Sequence, residues 1–225
     1  MNGGGSALRE TPWDKAALGI DTFEILTVSE EVLGGIAGQP GHYTAKVDPL
    51  SDKRLLHEHG FYYCDTLLEP YADRRRFIEF PHDHVGLRRE VPVDDLLEIS
   101  HGAFAHGRFH RDFQIDRPLA DRRYDNWLRQ LHDAGTVFGL SFDERLAAFF
   151  GYTGSRIVLH AVAREFQGQG LARFLWSRGC RELFDAGHTE LTSSVSAANV
   201  AVVNLYASLG FRFRNPLDVY HRLIP

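Results

Sequence analysis

The stretch that decides the fold is RIVLHAVAREFQGQGLA, residues 156–172. It opens with an apolar run rich in β-branched side chains, which predicts a buried strand over 156–163. A glycine-rich loop follows, and from Leu171 apolar residues recur at helical spacing as far as Ala186, where Gly187 predicts the helix end. The sequence therefore predicts a strand, a loop and a helix in direct succession.

This loop is suited to bind a diphosphate. The first turn of a helix exposes unpaired N–H groups and partial positive charge, and Gly168 and Gly170 allow the backbone to approach a ligand closely. The loop lacks the Gly-Lys-Ser/Thr of a Walker loop and the third glycine of a dinucleotide fingerprint. Because strand–glycine–helix turns are common, the loop alone does not name its ligand.

The surrounding patterns predict further elements on both sides. Downstream we expect a strand, a helix ended by Gly210 and two closing strands, over 189–196, 199–209, 211–213 and 219–223. Upstream we expect a strand near 88, two helices and a hairpin, over 93–105, 119–134, 137–142 and 146–152. This order predicts an α/β fold in which a mixed sheet is flanked by helices.

The N-terminal part resembles a piece of the C-terminal part. Residues 44–61 and 194–211 both read as a strand and a helix that end in Gly-Phe, at a constant offset of 150. We therefore predict a degenerate half-repeat domain over 9–87 that binds no cofactor and is structural or forms part of a substrate wall. A second domain would follow over 88–225, after a flexible tail over 1–8. The alternative is chance similarity between two helix ends.

Composition narrows the class of protein. The 225 residues are 44% hydrophobic and 24% charged, with a formal net charge of −5, which is typical of a soluble globular protein and not of a general nucleic-acid binder. No apolar run is long enough to span a membrane, and the N-terminus lacks the pattern of a signal peptide. We expect a cytoplasmic protein with two free thiols, and no metal site among its clustered histidines.

Two motifs together resemble the GCN5-related N-acetyltransferase (GNAT) superfamily. Gln167-Gly168-Gln169-Gly170-Leu171-Ala172 is similar to its acyl-CoA signature, Gln/Arg-x-x-Gly-x-Gly/Ala, and the run from Asn199 through Tyr206 to Gly210-Phe211 is similar to its second signature. The resemblance covers about 88–225 and implies an acyl-CoA-dependent N-acyltransferase with acetyl-CoA as co-substrate. It implies that the backbone of Leu159, Ala161 and Val162 pairs with the pantetheine arm, that 167–172 holds the pyrophosphate and that Asn199 bonds the pantetheine.

The resemblance also implies a catalytic role for Tyr206. A thiolate leaving group benefits from an acid within hydrogen-bond reach, and a phenol supplies one; the alternative is a core aromatic residue. His160 stands at a position that is normally apolar and is a candidate base, although a core histidine bonded to backbone is equally consistent with the sequence. An amine with a pKa near ~8 is already partly neutral at pH 7, so no strong base is required.

The acceptor is predicted from weaker residues. Trp13-Asp14 with Leu18-Gly19, and 105–109 with Asp112, resemble the TDP-fucosamine acetyltransferase branch, although Leu18 and Gly107 depart from its pattern. This resemblance implies acetyl transfer to the amine of an amino-sugar nucleotide, with Arg108 and Arg111 on its diphosphate. Alternatives are a solvated basic loop at these arginines, another small amine such as an antibiotic or amino acid, and a non-catalytic acyl-CoA-binding module. A homodimer is possible.

Overall fold

A computed structural model describes residues 7–225. Most of the predicted tail, 1–8, lies outside the described residues. Leu8 already begins the first strand, so it does not belong to a tail.

The described part of the chain contains seven α-helices and eleven strands. The strands are β1 Leu8–Glu10, β2 Thr22–Ile25, β3 Gly41–Val47, β4 Tyr62–Asp73, β5 Val85–Arg88, β6 Val137–Phe142, β7 Arg145–Thr153, β8 Arg156–Val162, β9 Glu190–Thr192, β10 Val195–Ser196 and β11 Arg212–Ile224. The helices are α1 Pro12–Leu18, α2 Glu30–Gly35, α3 Arg54–Glu58, α4 Val93–Ser100, α5 Arg117–Asp133, α6 Ala172–Asp185 and α7 Val200–Ser208. A 3₁₀ turn, Arg164–Phe166, precedes α6.

All of these strands join one sheet. Its order is β1-β2-β3-β11-β4-β9-β8-β7-β6-β5, with β10 paired beside β9 on β4. The pairs β2–β3 and β8–β9 are parallel and the other neighbours are antiparallel. The mixed α/β sheet predicted from the sequence is confirmed. The two predicted domains share this sheet, since β11 pairs with both β3 and β4.

Four predicted elements had wrong bounds. The strand over 189–196 is interrupted between β9 and β10, where it passes Pro70 of β4, a residue with no N–H to continue the ladder. The last two predicted strands are one strand, β11, which absorbs the break in a bulge where Asn215 is left-handed, with φ 49°. The helix over 93–105 ends at Ser100, because Gly102 adopts φ 72° and turns the chain.

Strands β4 and β11 directly follow the two similar segments and pair with each other, with Leu67 opposite Leu217. Any antiparallel pair of strands exchanges its residues about a midpoint in this way, so the half-repeat stays a prediction. The order strand, helix, strand recurs in both halves, as β3-α3-β4 and as β10-α7-β11.

Helices cover both faces of the sheet around β8. On one face, α6 packs Leu175, Trp176 and Cys180 against the strands, together with residues of α7. On the other face, Leu128 and Leu131 of α5 pack with α4 and with Phe149, Leu159 and Ala161 of β7 and β8. No helix among residues 7–225 is both long enough and apolar enough to cross a bilayer.

Candidate active site

The parallel strands β8 and β9 diverge from a single point of contact. They pair only at Arg156 and Thr192, and beyond that pair β9 and β10 follow β4 instead. The edge of β8 from Ile157 to Val162 is consequently not paired with another strand on this side. An unpaired strand edge offers N–H and C=O groups to an extended ligand.

A bulge in β8 changes which of its side chains point toward the cleft. Tyr152 pairs with Ile157 and Gly151 pairs with Leu159, so Val158 is the extra residue on β8. Beyond the bulge, Leu159 and Ala161 join the core beneath α4 and α5. His160 then points to the opposite face, where its ring meets Trp176 of α6 edge to face at 4.7 Å.

The glycine-rich loop delivers the first turn of α6 to the open edge of β8. Gly168 and Gly170 are both left-handed, with φ 74° and 73°, a conformation that other residues adopt only with strain. Gln167 donates from Nε2 to the backbone O of Val162 at 2.8 Å, which ties the loop to β8. The cap residue of α6, Leu171, supplies no side-chain acceptor, so the first amides of α6 have no side-chain cap.

These elements enclose a cleft of about 570 Å³. Its walls come from β8, the glycine-rich loop, the start of α7 and the segment 103–108, and β4 adds Asp65 and Leu67. Of the residues predicted to bind the co-substrate, the cleft is lined by Leu159, Ala161, Val162, Gln167, Gly168, Gly170, Leu171, Ala172 and Asn199. Gln169 does not line it; its Nε2 donates to the backbone O of Glu165 at 2.5 Å.

Tyr206 lies directly behind the cleft, with its hydroxyl in a chain of hydrogen bonds. Ser193 Oγ donates to the backbone O of Ile157 at 2.9 Å, and Tyr206 Oη donates to Ser193 Oγ at 3.0 Å. His160 Nε2 lies 3.1 Å from Tyr206 Oη. Because the phenol proton is directed to Ser193, we assign His160 as the Nε2–H tautomer that donates to Tyr206.

Comparison with known proteins agrees with this geometry. Residues 103–211 match the acetyltransferase (GNAT) family. The matched segment contains the open edge of β8, the glycine-rich loop and Tyr206. A comparison with curated proteins gave no match.

Solved structures share the fold at low sequence identity. The GCN5-related N-acetyltransferase from Sphaerobacter thermophilus is 14% identical over 96% of this chain and 76% of that chain, with a TM-score of 0.66. The GCN5-related N-acetyltransferase from Kribbella flavida is 12% identical over 89% and 80%, with a TM-score of 0.59. A tandem GNAT protein from the clavulanic acid biosynthesis pathway is 14% identical over 90% and 75%, with a TM-score of 0.54.

Burial shifts the pKa values of Tyr206 and His160 in opposite directions. It raises the pKa of Tyr206 above its ordinary value, with the bond to Ser193 opposing the shift. It lowers the pKa of His160 to about 4. His160 is therefore neutral at pH 7 and a weak proton acceptor, which argues against the predicted role as a base for the amine and favours a role on Tyr206.

Asn199 occupies a position that the sequence interpretation did not anticipate. It is the N-cap of α7, and its Oδ1 accepts from the backbone N of Val202 at 3.3 Å. Its side chain also lines the cleft, so capping and ligand binding compete for the same amide.

The two predicted substrate arginines have different environments. Arg108 lines the cleft, stacks its guanidinium 4.7 Å from the ring centre of Phe109 and has no hydrogen-bond partner for its buried Nε among the described residues. Arg111 instead donates from Nη1 to Asp65 Oδ1 at 2.6 Å and does not line the cleft. Of the two, only Arg108 is free to meet an anionic ligand.

A buried polar cluster holds the segment that carries these arginines. Asp112 Oδ2 accepts from His221 Nδ1 at 2.7 Å and from His42 Nε2 at 3.1 Å, and Tyr62 Oη donates to Asp112 Oδ1 at 2.8 Å. The ligand-type atoms of His42, Asp112 and His221 lie within 4.8 Å of one another, a grouping that the sequence did not suggest. Their mutual hydrogen bonds account for the arrangement without an ion.

Sequence reasoning missed three residues of the site. Ser193, in the break between β9 and β10, and Asp65, in β4, belong to no sequence motif, and Trp176 is one more apolar residue of an amphipathic helix. In the structure Ser193 bonds Tyr206, Asp65 lines the cleft, and Trp176 presents a buried Nε1 without an acceptor among the described residues. Only the repeat gave a signal, since it predicted that the N-terminal half could contribute a substrate wall.

The buried histidines predict how stability varies with pH. Burial lowers the pKa of His221 to about 3 and that of His160 to about 4, so below pH 6.5 the unfolded chain binds more protons than the folded one. Their stabilising contribution is complete above about pH 6.5 and is lost as the pH falls. Each group should cost about 1.4 kcal/mol of unfolding free energy per pH unit between roughly 6 and its folded pKa.

Urea unfolding at a series of pH values measures this slope. His160→Leu should reduce the slope of unfolding free energy against pH by the contribution of one histidine. His106→Gln, at an exposed histidine, should leave this slope unchanged. Equal slopes for the wild type and His160→Leu would contradict a neutral buried imidazole at position 160.

Proposed function

We propose that this protein transfers an acetyl group from acetyl-CoA to the amine of a small acceptor. The observation that carries the proposal is the divergence of β8 from β9 at the point where the glycine-rich loop presents the first turn of α6. An extended, polar arm fits the open strand edge, and a diphosphate fits the helix start. The match of residues 103–211 to the GNAT family supports the same co-substrate.

The residues of the loop would hold the pyrophosphate through the backbone. All residues of 167–172 except Gln169 line the cleft, at a helix N-terminus without a side-chain cap, where partial positive charge favours an anion. The backbone of Leu159, Ala161 and Val162 would pair with the pantetheine as an added strand. Asn199 would contribute its amide at the far wall.

Tyr206 would protonate the sulfur as the thiolate leaves. Its hydroxyl is bonded to Ser193 Oγ and lies 3.1 Å from His160 Nε2, and His160 lines the cleft. As the phenol loses its proton, His160 would donate to Oη and stabilise the developing charge. We propose that His160 is thus a positioning residue, and its low pKa keeps it neutral at pH 7.

For the acceptor, we propose the amine of an amino-sugar nucleotide. A second pocket of about 380 Å³ shares Arg108 and Trp127 with the cleft. It exposes Trp13 beside Trp127, and planar aromatic side chains suit a nucleobase. Arg108, unpaired at the junction, suits a diphosphate between the base and the sugar.

The other cations of this second pocket are already paired. Arg123 donates to Asp14 Oδ1 at 2.8 Å, while Lys46 and Arg9 both bind Glu24. The anion would therefore depend mainly on Arg108. Another small amine, such as an antibiotic or amino acid, would need no such contact, and a non-catalytic acyl-CoA-binding module would need neither Arg108 nor Tyr206.

Thiol release from acetyl-CoA over a panel of amines tests the proposal. The panel contains a nucleotide-linked 4-amino sugar, amino acids and an aminoglycoside, with mass spectrometry of the acylated product. We expect the nucleotide-linked amine to give the highest kcat/KM. Activity with another amine alone would change the proposed acceptor and leave the proposed acetyl transfer in place. The absence of thiol release with every amine tested would favour the non-catalytic acyl-CoA-binding module.

Arg108→Ala should show how much the nucleotide part of the acceptor contributes to binding, apart from its amine. A charge-assisted hydrogen bond contributes about 1.5–3 kcal/mol, so the KM for a nucleotide-linked amine should rise roughly 10- to 100-fold. The KM for acetyl-CoA should not change. Arg75→Ala, at an exposed arginine outside the cleft, is the matched control. An unchanged KM for the nucleotide-linked amine in Arg108→Ala would exclude Arg108 from the diphosphate site.

A further inference from the structure

Asp65 is a buried carboxylate in β4 that uses only one of its two oxygens. Oδ1 accepts three hydrogen bonds, from Arg111 Nη1 at 2.6 Å, Ser196 Oγ at 2.7 Å and the backbone N of Thr66 at 2.9 Å. Oδ2 is buried and has no hydrogen-bond partner among the described residues. The side chain is fully buried from bulk solvent, yet the residue lines the cleft.

A buried carboxylate oxygen without a hydrogen-bond donor lowers the stability of the fold unless a ligand supplies the donor. A buried acceptor without a partner costs about 1–3 kcal/mol, and more when it is charged. Two charged side chains interact with Asp65: Arg111, which binds Oδ1, and Arg108. The phenol of Tyr124 also interacts electrostatically with Asp65. Burial raises the pKa of the Asp65 carboxyl, while Ser196 and Arg111 oppose the shift. A buried carboxylate with an unpaired oxygen and a raised pKa can both bind a cation and accept a proton.

The position of Asp65 complements that of Tyr206. The residues that contact Tyr206 and Asp65 are close in sequence, since Ser193 bonds Tyr206 and Ser196 bonds Asp65. Ser193 lies in the break between β9 and β10, Ser196 ends β10, and three residues span at most about 10 Å. Two hydrogen bonds of about 3 Å each, joined through sulfur, carbon and nitrogen, cover a similar length. This separation is compatible with Tyr206 at the sulfur end of a reacting thioester and Asp65 at the nitrogen end.

We propose that Asp65 Oδ2 binds the ammonium group of the acceptor and receives one of its protons before attack. This inference rests on the proposed acetyl transfer. It assigns the acceptor to the class of primary amines that are protonated in solution. It also gives the N-terminal half a direct part in the reaction, since β4 belongs to that half.

The step balances as follows. The ammonium gives one proton to Asp65, and the freed nitrogen lone pair forms the C–N bond with the thioester carbon. The C–S bond breaks with its electron pair on sulfur, and sulfur takes the proton of Tyr206. The second proton leaving nitrogen restores Tyr206, and Asp65 returns its proton to solvent, so one ammonium and one thioester give one amide, one thiol and one proton.

Asp65→Asn in the full chain tests the inference, with an amine that the wild type acetylates. Asparagine keeps the shape and an Oδ1 acceptor but removes the charge and the basic oxygen. We expect kcat/KM for the amine to fall roughly 10²- to 10⁴-fold near pH 7, with the Kd for acetyl-CoA unchanged. The loss should shrink as the pH approaches the pKa of the free amine, because the substrate then arrives neutral.

Two further variants separate chemistry from structure. Ser196→Ala removes one hydrogen bond to the same carboxylate and should lower kcat/KM only slightly. Asp65→Glu keeps the charge, displaced by one methylene, and should lower kcat/KM while retaining the wild-type pH profile. If Asp65→Asn does not fold, the Asp65→Glu variant carries the test: a lowered kcat/KM with the wild-type pH profile supports the inference, and an unchanged kcat/KM overturns it.

The outcomes distinguish this inference from the proposed function. An active wild type with an equally active, folded Asp65→Asn variant overturns the inference alone. So does a loss of activity that shows no recovery at high pH, or one accompanied by loss of acetyl-CoA binding. A wild type that binds acetyl-CoA but acetylates no amine overturns the proposed function itself.

Discussion

Replacing Tyr206 by phenylalanine should lower kcat roughly 10²- to 10⁴-fold, the usual contribution of a positioned acid. The substitution keeps the ring, which is fully buried among Trp176, Phe211 and neighbouring core residues, and removes only the hydroxyl. Because the lost interaction belongs to the transition state, the KM for acetyl-CoA should change little. Steady-state rates of thiol release measure both quantities, and a pre-steady-state measurement of the chemical step removes any masking by product release.

Tyr43→Phe is the matched control. Tyr43 is also fully buried and also donates a single hydrogen bond, to the backbone O of Gln39 at 3.1 Å, but it lies in the N-terminal half outside the cleft. It should lose a similar amount of stability without losing activity. A folded Tyr206→Phe protein with the wild-type rate of the chemical step would show that the sulfur receives its proton from another group.

Replacing Gly170 by valine should weaken acetyl-CoA binding at least about tenfold. A side chain at φ 73° costs roughly 1–2 kcal/mol of folding stability. A tenfold loss of affinity is a separate effect, the loss of about 1.4 kcal/mol of binding free energy. No atom lies within 4 Å of an added Cβ, so the protein itself has room for it. The new side chain would project at the loop where the pyrophosphate approaches the backbone, and the loss should therefore appear in ligand binding as well as in stability.

Gly154→Val controls for the backbone strain. Gly154 has φ 56°, with open space around an added Cβ, in the turn between β7 and β8 and outside the cleft. Calorimetry should show near-wild-type acetyl-CoA affinity for Gly154→Val and a large loss for Gly170→Val. Equal affinities in the two variants would remove the loop from the pyrophosphate site.

The local signals in the sequence located the side of the cleft that we propose binds the co-substrate. The apolar run of β8, the two glycines and the periodicity of α6 are contiguous, so each depends only on neighbours along the chain. The same holds for α7 and its ending at Gly210. The sequence motifs therefore coincide with strands and helices of the structure, and the order of these elements predicted the α/β class with its mixed sheet.

The acceptor side could not be predicted in the same way. Asp65 reaches the cleft because β4, from the N-terminal half, enters the sheet between β9 and β11, and this insertion depends on long-range pairing that leaves no local pattern. The break between β9 and β10 likewise arises from Pro70, which lies more than a hundred residues away in sequence. Arg111 was assigned to the substrate because its partner, Asp65, was not visible in the sequence.

The most direct test of the account is a calorimetric titration of the wild-type chain with acetyl-CoA. The open edge of β8 and the start of α6 predict saturable binding of one acetyl-CoA per chain, lost on replacing Gly170 by valine and retained on replacing Tyr206 by phenylalanine. Absence of saturable binding to the folded wild-type protein would contradict the assignment of the cleft, and with it the proposed transfer of an acetyl group.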